Sequence, residues 1–414
     1  MFQAPRGTTD ILPKDQPHWS YVTSVMSAAA RTHGYQRIDT PVFEDTGLFR
    51  RTVGEETDIV QKEMYSFKDR GEQELTLRPE GTAAVCRAYV EHGLHNQAQP
   101  VRLYYLCPMF RYDRPQAGRY RQFHQFGVEA IGDGDAAVDL EVIQLAMSTM
   151  EGLGLGGMTL VLNNIGDAGD RPAYVEALRE HFRPHVDQMG ADDARRFDSN
   201  PLRLLDSKEL AGKPFMADAP KSTDFLGPDA KAHWDELLGY LDALSIPYRL
   251  DHKLVRGLDY YTRTVFEVHP SKSGGQSAVC AGGRYDGLIE QLGGSPTPGI
   301  GFATGIERII MNVREQELAV RDETPRPVVV AHRGAEAKAR AVSIATELRA
   351  AGITAIVAPE RSLKAQMRYA SALESATVLI LGEQELERGV VTLRDMGTSK
   401  QRELPQSEVV RSLS

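Results

Sequence analysis

The sequence predicts an α+β body whose mostly antiparallel sheet is flanked by helices. A helical insertion breaks this body, and a separate C-terminal α/β domain follows it. Three observations carry this reading. Residues 101–132, VRLYYLCPMFRYDRPQAGRYRQFHQFGVEAIG, are two strand-like flanks around a loop dense in arginine, as in a long hairpin. Residues 166–244 turn mostly helical, with polar breaks such as RFDSNPLRLLDSK. After residue 325, the runs VVVAH, ITAIVAP, ATVLILG and GVVTLRD, with a helical pattern at 336–351, form a βαβ alternation of about 90 residues.

Composition narrows the class. A chain of 414 residues is too long for one core, so two or three domains are expected. No apolar run approaches the roughly 18 residues of a membrane span, and MFQAPRGTTD lacks a signal pattern. Cys86, Cys107 and Cys280 are scattered without a CxxC pair, which suggests neither a disulfide framework nor a zinc site and points to a reducing cytoplasm. The net charge is −9, yet residues 325–414 hold 13 Lys and Arg against 10 Asp and Glu. That domain is therefore the better face for a polyanion.

In chain order, residues 15–33 read as an amphipathic helix ended by Gly34. YQRIDTPVFED reads as a strand that Pro41 confines to an edge or bend. A hairpin is expected to turn at Asp69 to Gly71. In TLRPEGT, spacing favours Thr82 as the N-cap of a helix over 83–92, with Glu80 close to its start. His92 and His95 lack further ligands for a metal. GLGLGG at 152–157 follows a helix and precedes a strand, the reverse of a dinucleotide loop, so it is a connector.

Within the hairpin, alternation places Phe123, Gln125, Gly127 and Glu129 on one face and His124, Phe126, Val128 and Ala130 on the other. The second face reads as core. The first leaves room beside Gly127 for a small polar ligand, with Arg111 and Arg121 at the loop bases suited to phosphate. A solvated face with a charged tip fits the same pattern. In LVRGLDYYTRTVFEVH, Gly257 lets the backbone turn and project Arg256 beside Tyr260 and Tyr261. A second strand pair is expected to turn at residues 273–275 and end in CAGGRYDGL. In PGIGFATGIERII, Gly299, Gly301, Ala303 and Gly305 share one face of a strand, a floor for a flat ligand or a packed helix. Arg308 then stands in the first turn of a helix, placed to reach an anion.

Together these segments resemble the class II aminoacyl-tRNA synthetases, most closely the histidyl-tRNA synthetase family, over essentially the whole length. YQRIDTPVFED is similar to motif 1, FRYDRPQAGRYRQF to motif 2 and GIGFATGIERI to motif 3, in that order. LVRGLDYYT and AGGRYDGL, with TLRPEGT and NPLRLLDSK, resemble the histidine-specific signatures. The resemblance implies a class II catalytic fold split as 1–165 and 245–320 around an insertion at 166–244, with an anticodon-binding domain at 325–414. It implies ATP as substrate with Mg²⁺ on its phosphates, L-histidine, tRNA-His and a homodimer.

By the same resemblance, Arg111, Asp113, Arg119 and Arg308 meet ATP, with Arg111 at the α-phosphate and Arg308 at the γ-phosphate. Arg256 bridges the histidine carboxylate and the α-phosphate as a fixed cation. Glu80, Gly81, Thr82, Gln125 and Glu129 bind the amino acid's polar atoms, which overrules capping for Glu80 and Thr82. Tyr260 and Tyr261 enclose the imidazole, and Arg114 and Gln116 meet the tRNA acceptor end. The family's motif 2 glutamate is replaced by Asp113, whose shorter reach suits a water bridge to adenine. Two other families share features: a noncatalytic regulatory subunit of histidine biosynthesis, which typically loses the C-terminal domain and the arginines, and the threonyl, prolyl and glycyl synthetases, which LVRGLDYY disfavours.

Overall fold

The computed structural model describes residues 2–55, 57–116, 118–270, 278–321, 324 and 326–414. The turn expected at 273–275 lies outside the described residues. The chain divides into two compact units, 1–321 and 322–414.

The first unit opens with α1 (Gln16–Thr32), whose Val22, Met26 and Ala30 recur at four-residue spacing and are fully buried. Gly34, at φ +82°, ends it as expected: the Tyr35 N–H reaches back to the Ala30 carbonyl at 3.0 Å. The motif 1 segment is two short strands rather than one. β1 (Gln36–Arg37) lies parallel to the hairpin at the sheet edge, and β2 (Phe43–Asp45) joins a three-stranded sheet with β3 (Tyr65–Lys68) and β4 (Glu74–Leu77). Pro41 falls where the chain leaves one sheet for the other, where no ladder N–H is needed. Between β2 and β3 comes α2 (Thr46–Val53), and after β4 comes α3 (Thr82–Glu91).

The hairpin is β5 (Val101–Phe110) and β6 (Gln122–Ile131), paired throughout with Val101 opposite Ile131. Next come α4 (Ala136–Gly152), β7 (Met158–Asn164), α5 (Arg171–Phe182), α6 (Ala191–Ser199), α7 (Pro228–Ala243) and β8 (Tyr248–Leu250). The unit closes with β9 (Thr262–Pro270), β10 (Cys280–Arg284), α8 (Leu288–Gln291), β11 (Gly299–Gly305) and α9 (Ile306–Glu315). The large sheet runs β1-β5-β6-β11-β10-β9-β7-β8, antiparallel except for its two edge pairs.

One sheet face packs on α1, α4, α7 and α9 through Phe126, Val128, Ala130, Phe302 and their neighbours. This is the face that alternation assigned to the core. The opposite face packs on α3 and α8 over part of its area and otherwise fronts the cavity described below. The insertion has its own core of Tyr174, Leu178, Phe182, Leu204, Phe215 and Met216. Its last helix, α7, instead sends Trp234, Leu237 and Leu241 into the main core against α4.

In the second unit, β12 (Val328–His332), α10 (Ala335–Ala350) and β13 (Ala355–Val357) make a parallel βαβ crossover. After α11 (Leu363–Ala372), β14 (Thr377–Leu381) pairs parallel to β12, and β15 (Val390–Asp395) and β16 (Gln401–Pro405) extend the sheet antiparallel. Val328 and Val330 enter one core cluster while Val329 and Ala331 enter another. Burial on both faces is why this strand reads as an unbroken apolar run.

The closeness of β10 to β11 is testable at Gly282. A Cβ there would stand 2.3 Å from the Gly301 carbonyl oxygen and 2.6 Å from Phe302 Cβ. Gly282→Val should cost about 1–3 kcal/mol by overpacking, seen as a lower melting temperature. Gly156→Ala, in the exposed connector with nothing within 4 Å, should leave the melting temperature unchanged.

Candidate active site

A cavity of about 610 Å³ opens on the free face of the sheet. The loop after β5, the strand β11 and the first turn of α9 bring Arg111, Arg119 and Arg308 to one part of its wall. The loop before β9 brings Arg256, Tyr260 and Tyr261, and the start of α3 brings Glu80, Gly81 and Thr82. Gln125 and Asp113 also line it.

The cations are held by backbone carbonyls and by two carboxylates. Arg111 donates from Nε to the Pro79 carbonyl at 2.8 Å and stacks 5.5 Å from the Phe123 ring centre. Arg308 donates to the Ala278 carbonyl at 2.7 Å. Burial lowers the pKa of both, and the nearby Arg119 lowers that of Arg308 further. An anion entering the cavity relieves both costs. Arg256 pairs through Nη1 with Glu267, which also lies 2.8 Å from His269 Nε2. The Arg256 Nε is buried with no hydrogen-bond partner, as is the Gln125 Oε1, so each has bonding capacity left for a guest.

Several assignments need correction. Thr82 is not the N-cap of α3. The Glu80 carboxylate caps it instead, accepting from the Thr82 N–H at 2.7 Å and the Ala83 N–H at 2.9 Å, while Gly81 holds the cap position. Local spacing was right about capping and wrong about which side chain does it. The Thr82 hydroxyl is thereby free to donate to Glu129 Oε1 at 2.7 Å.

Glu129 does not line the cavity but lies behind its wall, 1% exposed, also receiving the Tyr285 hydroxyl on Oε2 at 2.5 Å and the Tyr105 hydroxyl at 3.4 Å. Nor does Gly127 leave room for a ligand: a Cβ there would stand 2.2 Å from Tyr105 Cζ, so the space is filled by Tyr105. Likewise Gly299 and Gly301 make way for Tyr285 and Glu129, and of the proposed floor Gly301, Ala303 and Gly305 face the cavity.

Arg121 is spent on structure, lying 3.8 Å over the Tyr112 ring and donating to the Asp113 carbonyl at 3.3 Å. Asp113 pairs with Arg119 at 3.3 Å. Arg114 and Gln116 are exposed near the loop tip, outside the cavity lining.

Sequence reasoning missed Glu267, His269, Asp206 and Lys208, which also line the site. Glu267 left a trace: it is a lone acid set among Val265, Phe266 and Val268. Asp206 and Lys208 come from the insertion, and no local pattern points them at a sheet that is distant in sequence.

A mainly antiparallel sheet with arginines converging on its open face, joined to a separate anticodon-binding-like α/β unit, is the class II aminoacyl-tRNA synthetase fold. A family model described as histidyl-tRNA synthetase matches residues 7–309, and one described as an anticodon binding domain matches residues 327–414. A histidine--tRNA ligase of Dehalococcoides mccartyi is 51% identical over 99% of this chain and 98% of its own length, and one of Desulforamulus reducens is 47% identical over 98% and 97%. The crystal structure of apo S. aureus histidyl-tRNA synthetase superposes with a TM-score of 0.83 at 39% identity, covering 100% of this chain and 99% of that one. The chain belongs to the histidyl-tRNA synthetase family.

The buried carboxyl supplies a test. Burial first, and the neighbouring Glu80 charge, push Glu129 up to about 8 against the hydroxyl bonds that favour its ionised form. The folded chain keeps this proton to higher pH than the unfolded chain, whose carboxyl releases it near 4.5. Its effect on stability therefore worsens as pH rises between those values. Gln cannot titrate, so the melting temperature of Glu129→Gln relative to wild type should climb from roughly pH 5 to pH 8. A pH-independent difference would show that Glu129 titrates normally.

Proposed function

We propose that this protein is a histidine--tRNA ligase, which activates L-histidine with ATP to histidyl-adenylate and transfers it to the 3′ end of tRNA-His. The observation that carries the reading is the convergence of Arg111, Arg256 and Arg308 on one cavity that also holds the Gln125 amide and the Tyr260–Tyr261 pair. Identity of about half with curated ligases over nearly the whole chain supports it.

The chemistry follows from charge. The histidine carboxylate attacks the α-phosphorus of ATP, a carboxylate–phosphorus bond forms, and pyrophosphate leaves with the electron pair of the broken bond. Negative charge grows on the α-phosphoryl oxygens, where fixed cations act without reorganising. Arg111 would hold that phosphoryl group, Arg308 with Arg119 the γ end, and Arg256 both the α-phosphate and the incoming carboxylate, keeping the two reacting groups in contact. Asp113 would meet adenine through water. The tyrosine rings, 4.7 Å apart, would enclose the imidazole. Thr82, Gln125 and the Gly81 backbone would meet the substrate's polar atoms, with the Glu80 carboxyl beside its ammonium and Glu129 behind them holding the Thr82 hydroxyl.

Mg²⁺ would arrive with the nucleotide and neutralise its β and γ phosphates. Such a hard cation prefers phosphate and water oxygens, and among the described residues no three acidic, histidine or cysteine groups stand together as a cage. The exposed Arg114 and Gln116 suit the tRNA acceptor end, and unit 322–414 suits the anticodon. The edge position of β1 and the half-exposed Phe43 and Phe67 support a homodimer through the motif 1 region. Three free cysteines suit a reducing cytoplasm, and no helix of the described residues is long and apolar enough to cross a membrane.

Charging of total tRNA should occur with histidine and with none of the other amino acids. No charging at all would favour the regulatory-subunit reading, against which the retained arginines and C-terminal unit speak. Arg256→Ala should reduce histidine-dependent ATP–pyrophosphate exchange by roughly 10²–10³-fold or more, the scale of losing one preorganised donor at a developing anion. Near-normal exchange would refute its role.

A further inference from the structure

The loop that carries Arg256, Tyr260 and Tyr261 belongs to no strand or helix, and Gly257 within it has nothing within 4 Å of where a side chain would begin. A cation that must bridge two substrates cannot sit on a free loop, because an error of about 1 Å in such a group costs about 10²-fold in rate. What holds the loop comes from outside the sheet.

Arg203, in the insertion's NPLRLLDSK segment, donates from Nη2 to the Gly257 carbonyl at 3.2 Å and to Asp259 Oδ1 at 3.1 Å. Asn200 adds Nδ2 to the same Asp259 oxygen at 3.5 Å. At the other end of the loop, Arg171 in the first turn of α5 donates from Nη2 to the Tyr261 carbonyl. The insertion thus grips the loop on both sides of Tyr260.

Asp259 is seated from below as well. Its N–H donates to the Val53 carbonyl at 3.2 Å, and Gly54, at φ +101°, leaves space where a Cβ would lie 2.2 Å from Asp259 Oδ2. Val255, just before Arg256, packs against both the insertion's core and the sheet's. The Nε atoms of both Arg171 and Arg203 are buried without a partner, and burial lowers the Arg171 pKa. A buried cation kept at this cost in Arg171, and an Arg203 whose bonds go to the loop, are placed for geometry more than for stability.

We propose that the helical insertion fixes the Arg256–Tyr261 loop through Arg171 and Arg203, which are positioning residues for amino-acid activation. The inference rests on the ligase reading for its kinetic consequence, but not for its structural one. Of the nucleotide's expected contacts only Arg256 rides on the loop; Arg111 and Arg308 lie on other elements and are not gripped by either residue. Loss of the clamp therefore displaces Arg256 and both tyrosines that face the amino acid, but only one of the cations on the nucleotide, and is felt mainly by the amino acid.

The test uses the full-length protein with Arg203→Ala, Arg171→Ala and Arg203→Lys. In ATP–pyrophosphate exchange, each alanine variant should lower kcat/KM for histidine by roughly 10- to 100-fold and leave the KM for ATP within about two-fold, since ATP keeps Arg111 and Arg308 when the loop shifts. Arg203→Lys should recover part of the loss, because an ammonium still reaches one of the two acceptors. Equal losses for both substrates, or unchanged constants with only a lower melting temperature, would overturn the proposal.

Amide hydrogen exchange of the free protein, read under conditions where each variant is folded, gives an independent measurement. Exchange at residues 255–261 should quicken in the alanine variants while 299–305 stays protected, and unchanged protection at 255–261 overturns the clamp. If instead the wild type showed no histidine-dependent exchange while that protection pattern held, the ligase reading would fall and the clamp would stand.

Discussion

The site depends on a carboxyl group buried where a carboxyl group is expensive. Glu129 sits under the cavity wall with hydroxyls from Thr82, Tyr105 and Tyr285 around it, and leaving such a group unsatisfied would cost several kcal/mol. Making room for it dictates the residues around it. Gly127 and Gly81 are glycines because the Tyr105 ring occupies the space of their side chains, and Gly301 because Glu129 itself does. The glycine pattern that looks like a ligand floor is largely the packing requirement of this network.

The same network ties the site to the helix layer behind the sheet. Tyr285 follows Arg284, which is fully buried and bonded to Asp139 of α4 at 2.7 Å and to Asp286 at 2.9 Å. Asp286 in turn accepts from the Gly299 N–H at 3.1 Å, pinning the start of β11. On the far side of the strand, Glu307 accepts from the His124 N–H at 2.9 Å and lies 2.9 Å from its Nδ1, fixing the turn that carries Arg308. Breaking one partner of a buried pair is costly, so these contacts make the wall rigid. In front of it, Arg111 and Arg308 are held by backbone carbonyls and keep their charge for an arriving anion.

The fold was legible wherever one face of an element is buried and the other is not. The hairpin's alternation named the core face correctly, because Phe126, Val128 and Ala130 meet helices while Gln125 meets the cavity. The βαβ unit was legible from apolar runs, yet β16 (QRELP) was not: it is an edge strand with almost no buried side chain, so it leaves no hydrophobic trace. The break at Pro41 showed as an interruption, but a proline cannot say that the chain then changes sheets.

By itself the sequence determined which residue types meet in the site. Strand alternation presents Gln125, and a strand running into a helix sets Arg308 at its first turn; each is local and follows the backbone period. Only the tertiary structure decided who does what. Glu129 lies buried because its partners come from α3, β5 and the turn after β10, 24 to 156 residues away. Arg121 is taken by an aromatic ring, and the loop of Arg256 is held by a segment the sequence presents only as an insertion. Such roles depend on through-space distance between parts of the chain whose separation no local pattern encodes.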